Sequence, residues 1–391
     1  MRHAVPPGAQ EEAGAPPLGW RRRLLFTGAM LLLSLLLLVA GGEATVRLLV
    51  PAETFWSVSN IYRPAEAPGV LYTYRAGFEG TAFGVDLETN SLGFRGPEWP
   101  RQKTPGTLRI ALVGDSHAFG FGVPYEDTVG EVLARLLEER LGRPAEVLNF
   151  GVNGFNSRQQ RAVFDHYVLG YDPDLLLLLP ANNDHDPPLR ADADGWLHWD
   201  GVGENEKSRI VDKSIEKVEA RTDGSWWKRR SRLVLYLNLM RQRLQFHEAA
   251  QTQRTAQHAP DARWMAPVVP GPISERLAEP VYTPLKAVVE EARARGLPVV
   301  LACFCSSPDY RRMLHRFEQE DGVPGIELLA LFPEARSWEE LTAQFGLGWD
   351  NHLNAVAHRR WATALADLIE RRGLHRPAPA PGAPAPAATR P

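Results

Sequence analysis

Between residues 107 and 181 the chain alternates two kinds of apolar pattern. "TLRIALVGD" is a short, continuous apolar run bounded by turn residues, the pattern of a strand buried on both faces. "PYEDTVGEVLARLLEERLG" follows, with apolar residues at Val129, Val132, Leu133, Leu136 and Leu137 and a stop at Gly142, which is helical spacing. "AEVLNFG" (145–151) predicts a second strand, "SRQQRAVFDHYVLG" a second helix, and "PDLLLLLPA" (173–181) a third strand. The alternation pauses over residues 185–272, which are polar, carry Trp196, Trp199, Trp226 and Trp227, and contain one helical stretch, "SRLVLYLNLMRQRLQF". It resumes with the helix "ISERLAEPVYTPLKAVVEEARARG", the strand "LPVVLACF", the helix "PDYRRMLHRFEQE", the strand-like "IELLAL" and a closing helix near 354–372. Strand–helix alternation of this kind predicts an α/β fold, a doubly wound (flavodoxin-like) parallel sheet of about five strands flanked by helices. Residues 185–272 read as an insertion within a domain spanning 108–372, and we expect it to form a lid.

The flanks have other characters. Arg21, Arg22 and Arg23 precede an uncharged apolar stretch from Leu24 to Gly42. A helix rises about 1.5 Å per residue and a bilayer core is about 30 Å thick, so the stretch just spans it. The arginines should stay cytoplasmic and place the bulk of the chain outside the inner (plasma) membrane. Residues 24–46 are expected to be a retained single-pass anchor after a cytoplasmic segment, 1–23. Cleavage near "GGEA", which would release a secreted protein, is the alternative. Residues 47–107 form a lead-in whose "NSLGFRG" reads as a turn-rich approach to the core, and the Pro/Ala-rich tail, 373–391, cannot bury a core.

Composition adds exclusions. In 391 residues, 44 Lys and Arg nearly balance 47 Asp and Glu, so nothing points to nucleic acid. The two cysteines, Cys303 and Cys305, would share one face of a buried strand, where disulfide geometry is hard to reach, and no disulfide is expected. No metal or cofactor requirement is visible; "DADG" (192–195) lacks the remaining ligands of a calcium loop.

"LVGDSHAFGFGV" (112–123) carries the chemistry. No lysine follows its glycines as a phosphate-binding P-loop needs, and Gly120 and Gly122 come too late for a dinucleotide turn. A nucleophile fits better. Functional groups gather at the carboxyl ends of parallel strands, and the first three strands end at Asp115-Ser116, "NFGVNG" and "PANND". "WDNHLN" later places Asp350 two residues before His352. A nucleophilic serine needs a base, an orienting partner for that base, and fixed donors for the oxyanion.

These blocks, in this order, resemble an SGNH hydrolase of the GDSL esterase/lipase superfamily, of the exported, membrane-anchored bacterial type. "GDSH" matches the first block, "NFGVNGFNS" the second, "ANND" the third and "DNH" followed by "LN" the last. The resemblance implies Ser116 as nucleophile, His352 as base and Asp350 as its orienting carboxylate. It implies an oxyanion hole of the Ser116 and Gly151 N–H groups and the Asn183 side chain. Asn153 and Asn182 compete with Asn183 for that last role. The final pair is spaced D-x-H where many members have D-x-x-H, and Ala357 stands where many have glycine. Asp115 is expected to be structural, His117 and His185 to lie at the rim, and His358 on a helix face. The activity implied is that of a serine esterase on O-acyl, especially O-acetyl, esters of an extracytoplasmic carbohydrate or lipid. The alternatives are an O-acetyltransferase of a cell-envelope polysaccharide and a silent glycan-binding protein that kept the fold.

Overall fold

A computed structural model describes residues 19–49, 61–83, 85–193, 195, 197–201, 209–210, 231, 233–234, 236–237, 271–305, 307–347 and 352–375. The chain divides into two units, residues 1–55 with 224–238, and 56–223 with 239–391.

The smaller unit is built on α1 (Trp20–Leu49), whose apolar side chains, apart from Val46, are exposed. It is long and apolar enough to cross a membrane, a property that anchors and signal sequences share. Near its C-terminal end Glu43 accepts hydrogen bonds from Ser231 Oγ (2.8 Å), Leu233 N–H (3.0 Å) and Arg47 Nε (2.7 Å). Residues 231 and 233, expected in the lid, therefore belong to the unit of α1. "SWWKRR" (225–230) and most of the 185–272 insertion lie outside the described residues.

The larger unit contains the expected sheet. Leu108–Gly114 (β5), Ala145–Asn149 (β6), Leu175–Leu179 (β7), Val299–Cys303 (β11) and Gly325–Glu327 (β12) lie in the order β12-β11-β7-β5-β6, all parallel. The direction of winding reverses between β5 and β7, the place where such sheets open a crevice at the strands' carboxyl ends. The five leucines of β7 show why the run is continuous. Side chains alternate across a strand, so Leu176 and Leu178 enter one apolar cluster and Leu175, Leu177 and Leu179 the other. All five are fully buried.

Each face has its own helices. α3 (Val129–Leu141) and the closing helix α8 (Ala355–Arg371) cover one side, joined by α7 (Trp338–Phe345). α4 (Ser157–His166), α5 (Thr283–Ala294) and α6 (Pro308–Asp321) cover the other. Local signals set their ends. Thr128 caps α3, which stops at Gly142 with φ 63°, and Asn156 with Gln159 forms a reciprocal capping box on α4. The helix expected over "ISERLAEPVYTPLKAVVEEARARG" is interrupted by a π-turn at Ala278–Tyr282, which contains Pro280. A proline there cannot supply the N–H that a regular helix needs. "IELLAL" is a strand only over β12; Leu329–Leu331 is a 3-10 turn.

Three further features differ from expectation. The lead-in holds two antiparallel pairs, β1 (Tyr62–Pro64) with β2 (Tyr72–Tyr74) and β3 (Glu79–Ala82) with β4 (Val85–Glu88). Its Tyr72, Tyr74, Phe94 and Trp99 are buried in the main core. The polar pause begins with a small antiparallel sheet of β8 (Leu189–Ala191), β9 (Leu197–Trp199) and β10 (Arg209–Ile210). Strands of two to four residues are too short to show a period. Third, Cys303 and Cys305 are disulfide-bonded, contrary to the expectation for a straight strand. β11 ends at Cys303 and the chain turns. The Cα atoms come to 5.2 Å, within bridging range and closer than extended chain would bring them.

Candidate active site

The buried strand β5 delivers the sequence Gly114-Asp115-Ser116 to the carboxyl edge of the sheet. There the chain turns at once into a single helical turn, α2 (Ser116–Phe119). Gly114 is required by the crowding at this turn: a Cβ would lie 2.7 Å from the Leu179 carbonyl oxygen and 2.8 Å from the Ala118 Cβ. Asp115 is buried and caps α2, accepting from the His117 N–H at 2.9 Å, which is the structural role expected of it. Its second oxygen lies 3.3 Å from Ser116 Oγ. Burial pushes its carboxyl up, but the charge and hydrogen bonds of His117, aided by His352, outweigh this and hold it below the usual range.

His352 arrives from 236 residues away, and its Nε2 lies 2.7 Å from Ser116 Oγ. Its main chain is pinned where its C=O accepts from Leu347 N–H (3.0 Å). Two residues on, Asn354 caps α8 through Val356 and Ala357 N–H. Two rings pack on the imidazole: the Phe121 ring stacks on it at 4.4 Å, and the tilted His117 ring lies at 5.1 Å. With Nε2 accepting the serine proton, a neutral His352 carries its own proton on Nδ1. Asp350, expected to orient that nitrogen, lies outside the described residues.

His117 is a second histidine in the site. Its Nδ1 is 3.2 Å from Asp115 Oδ1, and its ring packs at 4.0 Å on Phe304, the residue between the two cysteines. His358 lies on α8, as expected, on its buried face, and its Nδ1 accepts from the Val129 N–H that opens α3 (3.1 Å). Burial, with the charges of His117, Arg95 and His352, lowers its pKa to about 3, so it is neutral.

The second block bends beside the nucleophile. Val152 N–H donates to the Gly114 carbonyl (3.3 Å), and Asn149 Nδ2 donates to that of Ala118 (2.8 Å). Gly151 is needed here for lack of room, since a Cβ would lie 2.5 Å from the Phe119 nitrogen. Its N–H, however, donates to Asn149 Oδ1 at 2.9 Å. The group expected to face an oxyanion is thus already engaged. Three residues on, Gly154 is left-handed at φ 77°, and its N–H has no protein acceptor among the described residues. The motif fits either of two glycines three apart, and their N–H groups differ in what they meet.

The third block follows β7. Asn183 closes a turn by accepting from Asp186 N–H (2.9 Å), and its half-buried carboxamide has no protein partner among the described residues. Asn153, its competitor, is buried, and neither carboxamide atom has a hydrogen-bond partner among the described residues. Asp184 turns inward, accepting from Ser157 Oγ and Gln160 Nε2 (2.8 Å each) and Ala181 N–H (3.2 Å). Burial and repulsion from Asp115 raise its pKa well above the usual range. His185 lies 3.4 Å from the Tyr310 hydroxyl on α6, near the rim position expected.

The lead-in contributes a residue that sequence reasoning missed. Arg95 is 1% exposed, and its guanidinium donates to the carbonyls of Phe119 (3.1 Å), Gly120 (2.7 Å) and Val123 (2.7 Å). Burial lowers its pKa to about 10, which leaves it charged at neutral pH. It fixes the loop that carries Phe121 onto His352. An arginine in a turn-rich stretch reads as solvated, so the sequence offered no signal. No metal-holding group of three or more His, Cys, Asp or Glu occurs among the described residues.

Comparison with known proteins gives the family. The model of the GDSL-like lipase/acylhydrolase family matches residues 112–360, more than half of the chain. No curated protein matches it in sequence. Among solved structures, it is similar to a putative G-D-S-L lipolytic protein from Desulfitobacterium hafniense (12% identity, 67% of this chain and 99% of that one, TM-score 0.36). It is also similar to the esterase EstA from Pseudoalteromonas (12%, 68% and 98%, TM-score 0.36). A third is an acetyl-xylooligosaccharide esterase from Geobacillus (13%, 67% and 94%, TM-score 0.36). With a five-stranded parallel sheet, a serine on the strand edge and a histidine bonded to it, the chain belongs to the GDSL-like lipase/acylhydrolase family and is a serine hydrolase of ester bonds.

Proposed function

We propose that the protein is a membrane-anchored esterase that removes O-acetyl groups from an extracytoplasmic carbohydrate through an acyl-serine intermediate. The observation that carries the chemistry is the 2.7 Å contact of Ser116 Oγ with His352 Nε2. Ser116 Oγ attacks the ester carbonyl as His352 takes its proton, and the imidazolium then protonates the leaving alcohol. Asp350 would stabilise that imidazolium. The oxyanion is held by the N–H groups of Ser116 and Gly154 and by Asn183 Nδ2. Gly154 replaces the expected Gly151 because its N–H has no acceptor among the described residues, whereas that of Gly151 is bonded to Asn149. Losing one such donor typically costs about 100- to 1,000-fold in turnover. Water then attacks the acyl-serine with His352 again as base.

The exported location is supported by α1, in whose first turn Arg21, Arg22 and Arg23 precede the apolar run from Leu24. That placement motivates the choice of an extracytoplasmic carbohydrate as substrate.

The test uses the full chain in detergent. A fluorophosphonate should label it, and Ser116→Ala should abolish both labelling and release of acetate from acetylated sugars. A folded wild type that resists labelling would end the esterase reading. A labelled enzyme that cleaves long-chain lipid esters but not acetylated sugars would end the carbohydrate assignment alone.

A further inference from the structure

We infer that the lead-in strand β2 is part of the catalytic apparatus, with Tyr72 and Tyr74 as positioning residues that aim the Gly154 N–H at the oxyanion. This rests on the reading of Gly154 as a donor.

Tyr72 and Tyr74 are two apart on one strand, so their side chains leave the same face. Both rings are buried, and their hydroxyls close on one residue, 81 and 79 positions away. Tyr72 OH donates to the Asn153 C=O at 2.6 Å, and Asn153 N–H donates to Tyr74 OH at 3.1 Å. Burial, followed by the neighbouring Tyr62, raises both phenol pKa values well above the ordinary value, so both hydroxyls keep their protons.

The peptide group makes this contact consequential. The Asn153 C=O and the Gly154 N–H belong to one planar unit and point in opposite directions across it. Fixing the oxygen with Tyr72 fixes the direction of the N–H. Donation into the carbonyl also polarises the amide and makes its N–H a stronger donor. Gly154 most needs such restraint, because a glycine at φ 77° is free to rotate into other regions. Tyr74, by holding the preceding peptide, restrains rotation on the other side of Asn153.

The clamp is rigid. The Tyr62 ring meets Tyr72 at 5.6 Å and Tyr74 at 5.2 Å; Tyr72 meets Phe155 at 5.0 Å, and Tyr74 meets Phe119 at 4.8 Å. Phe119 ends the nucleophile's helical turn, so the same ribbon touches both the oxyanion loop and the serine's helix.

Tyr72→Phe removes one oxygen and keeps the ring. For a hydrogen bond of ordinary worth, kcat on p-nitrophenyl acetate should fall about tenfold with KM within about twofold. Phosphonylation should slow by a similar factor. Tyr74→Phe, which leaves the carbonyl bond intact, should show a smaller loss. Tyr171→Phe, a buried tyrosine elsewhere in the core, should leave kcat unchanged. A purely structural role would lower melting temperature without moving kcat.

Asn-Gly occurs once in the sequence, at 153–154. Carbonyl-13C asparagine with 15N glycine therefore gives one amide resonance, that of Gly154. In the wild type it should move downfield on phosphonylation, and in Tyr72→Phe it should move less. If the wild-type resonance moves while Tyr72→Phe keeps full kcat and the full shift, the clamp is refuted and the donor stands. If the wild-type resonance does not move, Gly154 is not a donor and both ideas fall.

Discussion

Replacing Gly151 with alanine separates crowding from hydrogen bonding, because alanine keeps the N–H. Gly151 has no left-handed φ, so the cost is steric rather than conformational. The added Cβ would sit 2.5 Å from the Phe119 nitrogen, 2.8 Å from Ala118 Cβ and 2.9 Å from the Ala118 carbonyl carbon. Ordinary contact begins at 3.4 Å, so the two main chains must part by about 0.9 Å. Both are held: Asn149 staples the loop to Ala118, and Arg95 holds Phe119 and Gly120. Ser116 is in the same helical turn and moves with it. Overpacking of this kind costs about 1–3 kcal/mol, and each kcal/mol lowers Tm by about 2–4 °C in a domain of this size. A displacement near 1 Å at the reacting atom is worth about 100-fold in rate. Gly151→Ala should therefore lower kcat/KM on p-nitrophenyl acetate about 100-fold and Tm by several degrees. The assay is steady-state kinetics beside a circular-dichroism melt. Wild-type kinetics and an unchanged melt would refute the packing argument.

Asn183→Ala should cut kcat about 100- to 1,000-fold with little change in Tm, because the side chain bonds no other protein group among the described residues; an unchanged kcat would return the donor role to Asn153 or Asn182. His358 is neutral in the fold with a pKa of about 3, against about 6.5 when unfolded. Its contribution is complete above about pH 6.5 and is lost as pH falls towards 3, at up to about 1.4 kcal/mol per pH unit. His358→Asn should flatten that acid-side slope in urea titrations, and an equal slope in both proteins would contradict it. Arg109 is buried at the start of β5, bonded to Glu146 (2.7 Å) and to the Tyr171, Pro100 and Arg101 carbonyls. Arg109→Met should cost about 3 kcal/mol in denaturant unfolding yet leave kcat intact, since it lies at the sheet edge away from Ser116.

The parallel sheet was legible because its strands carry continuous apolar runs and its helices show a period of 3.6 residues. Nothing comparable marks the lead-in. Tyr72 and Tyr74 sit in a strand of three residues, and Arg95 is a cation whose burial is decided by carbonyls more than twenty residues away. Of the candidate site, motif order named the serine and the histidine, since side-chain identity is what chemistry demands of them. The loop proposed to hold the oxyanion was less legible because a main-chain N–H is a donor that every residue but proline possesses. Gly151 and Gly154 differ in what their N–H groups meet, a property of the folded loop. The Cys303–Cys305 bond was missed because it depends on where β11 ends, and strand ends carry weak sequence signals.

Rapid-quench mass spectrometry of the full chain mixed with p-nitrophenyl acetate tests the central claim most directly. An acetyl adduct on Ser116 should form before acetate is released, decay at the turnover rate and be absent from Ser116→Ala. Turnover that persists in Ser116→Ala, or an adduct on another residue with Ser116 unmodified, would contradict it.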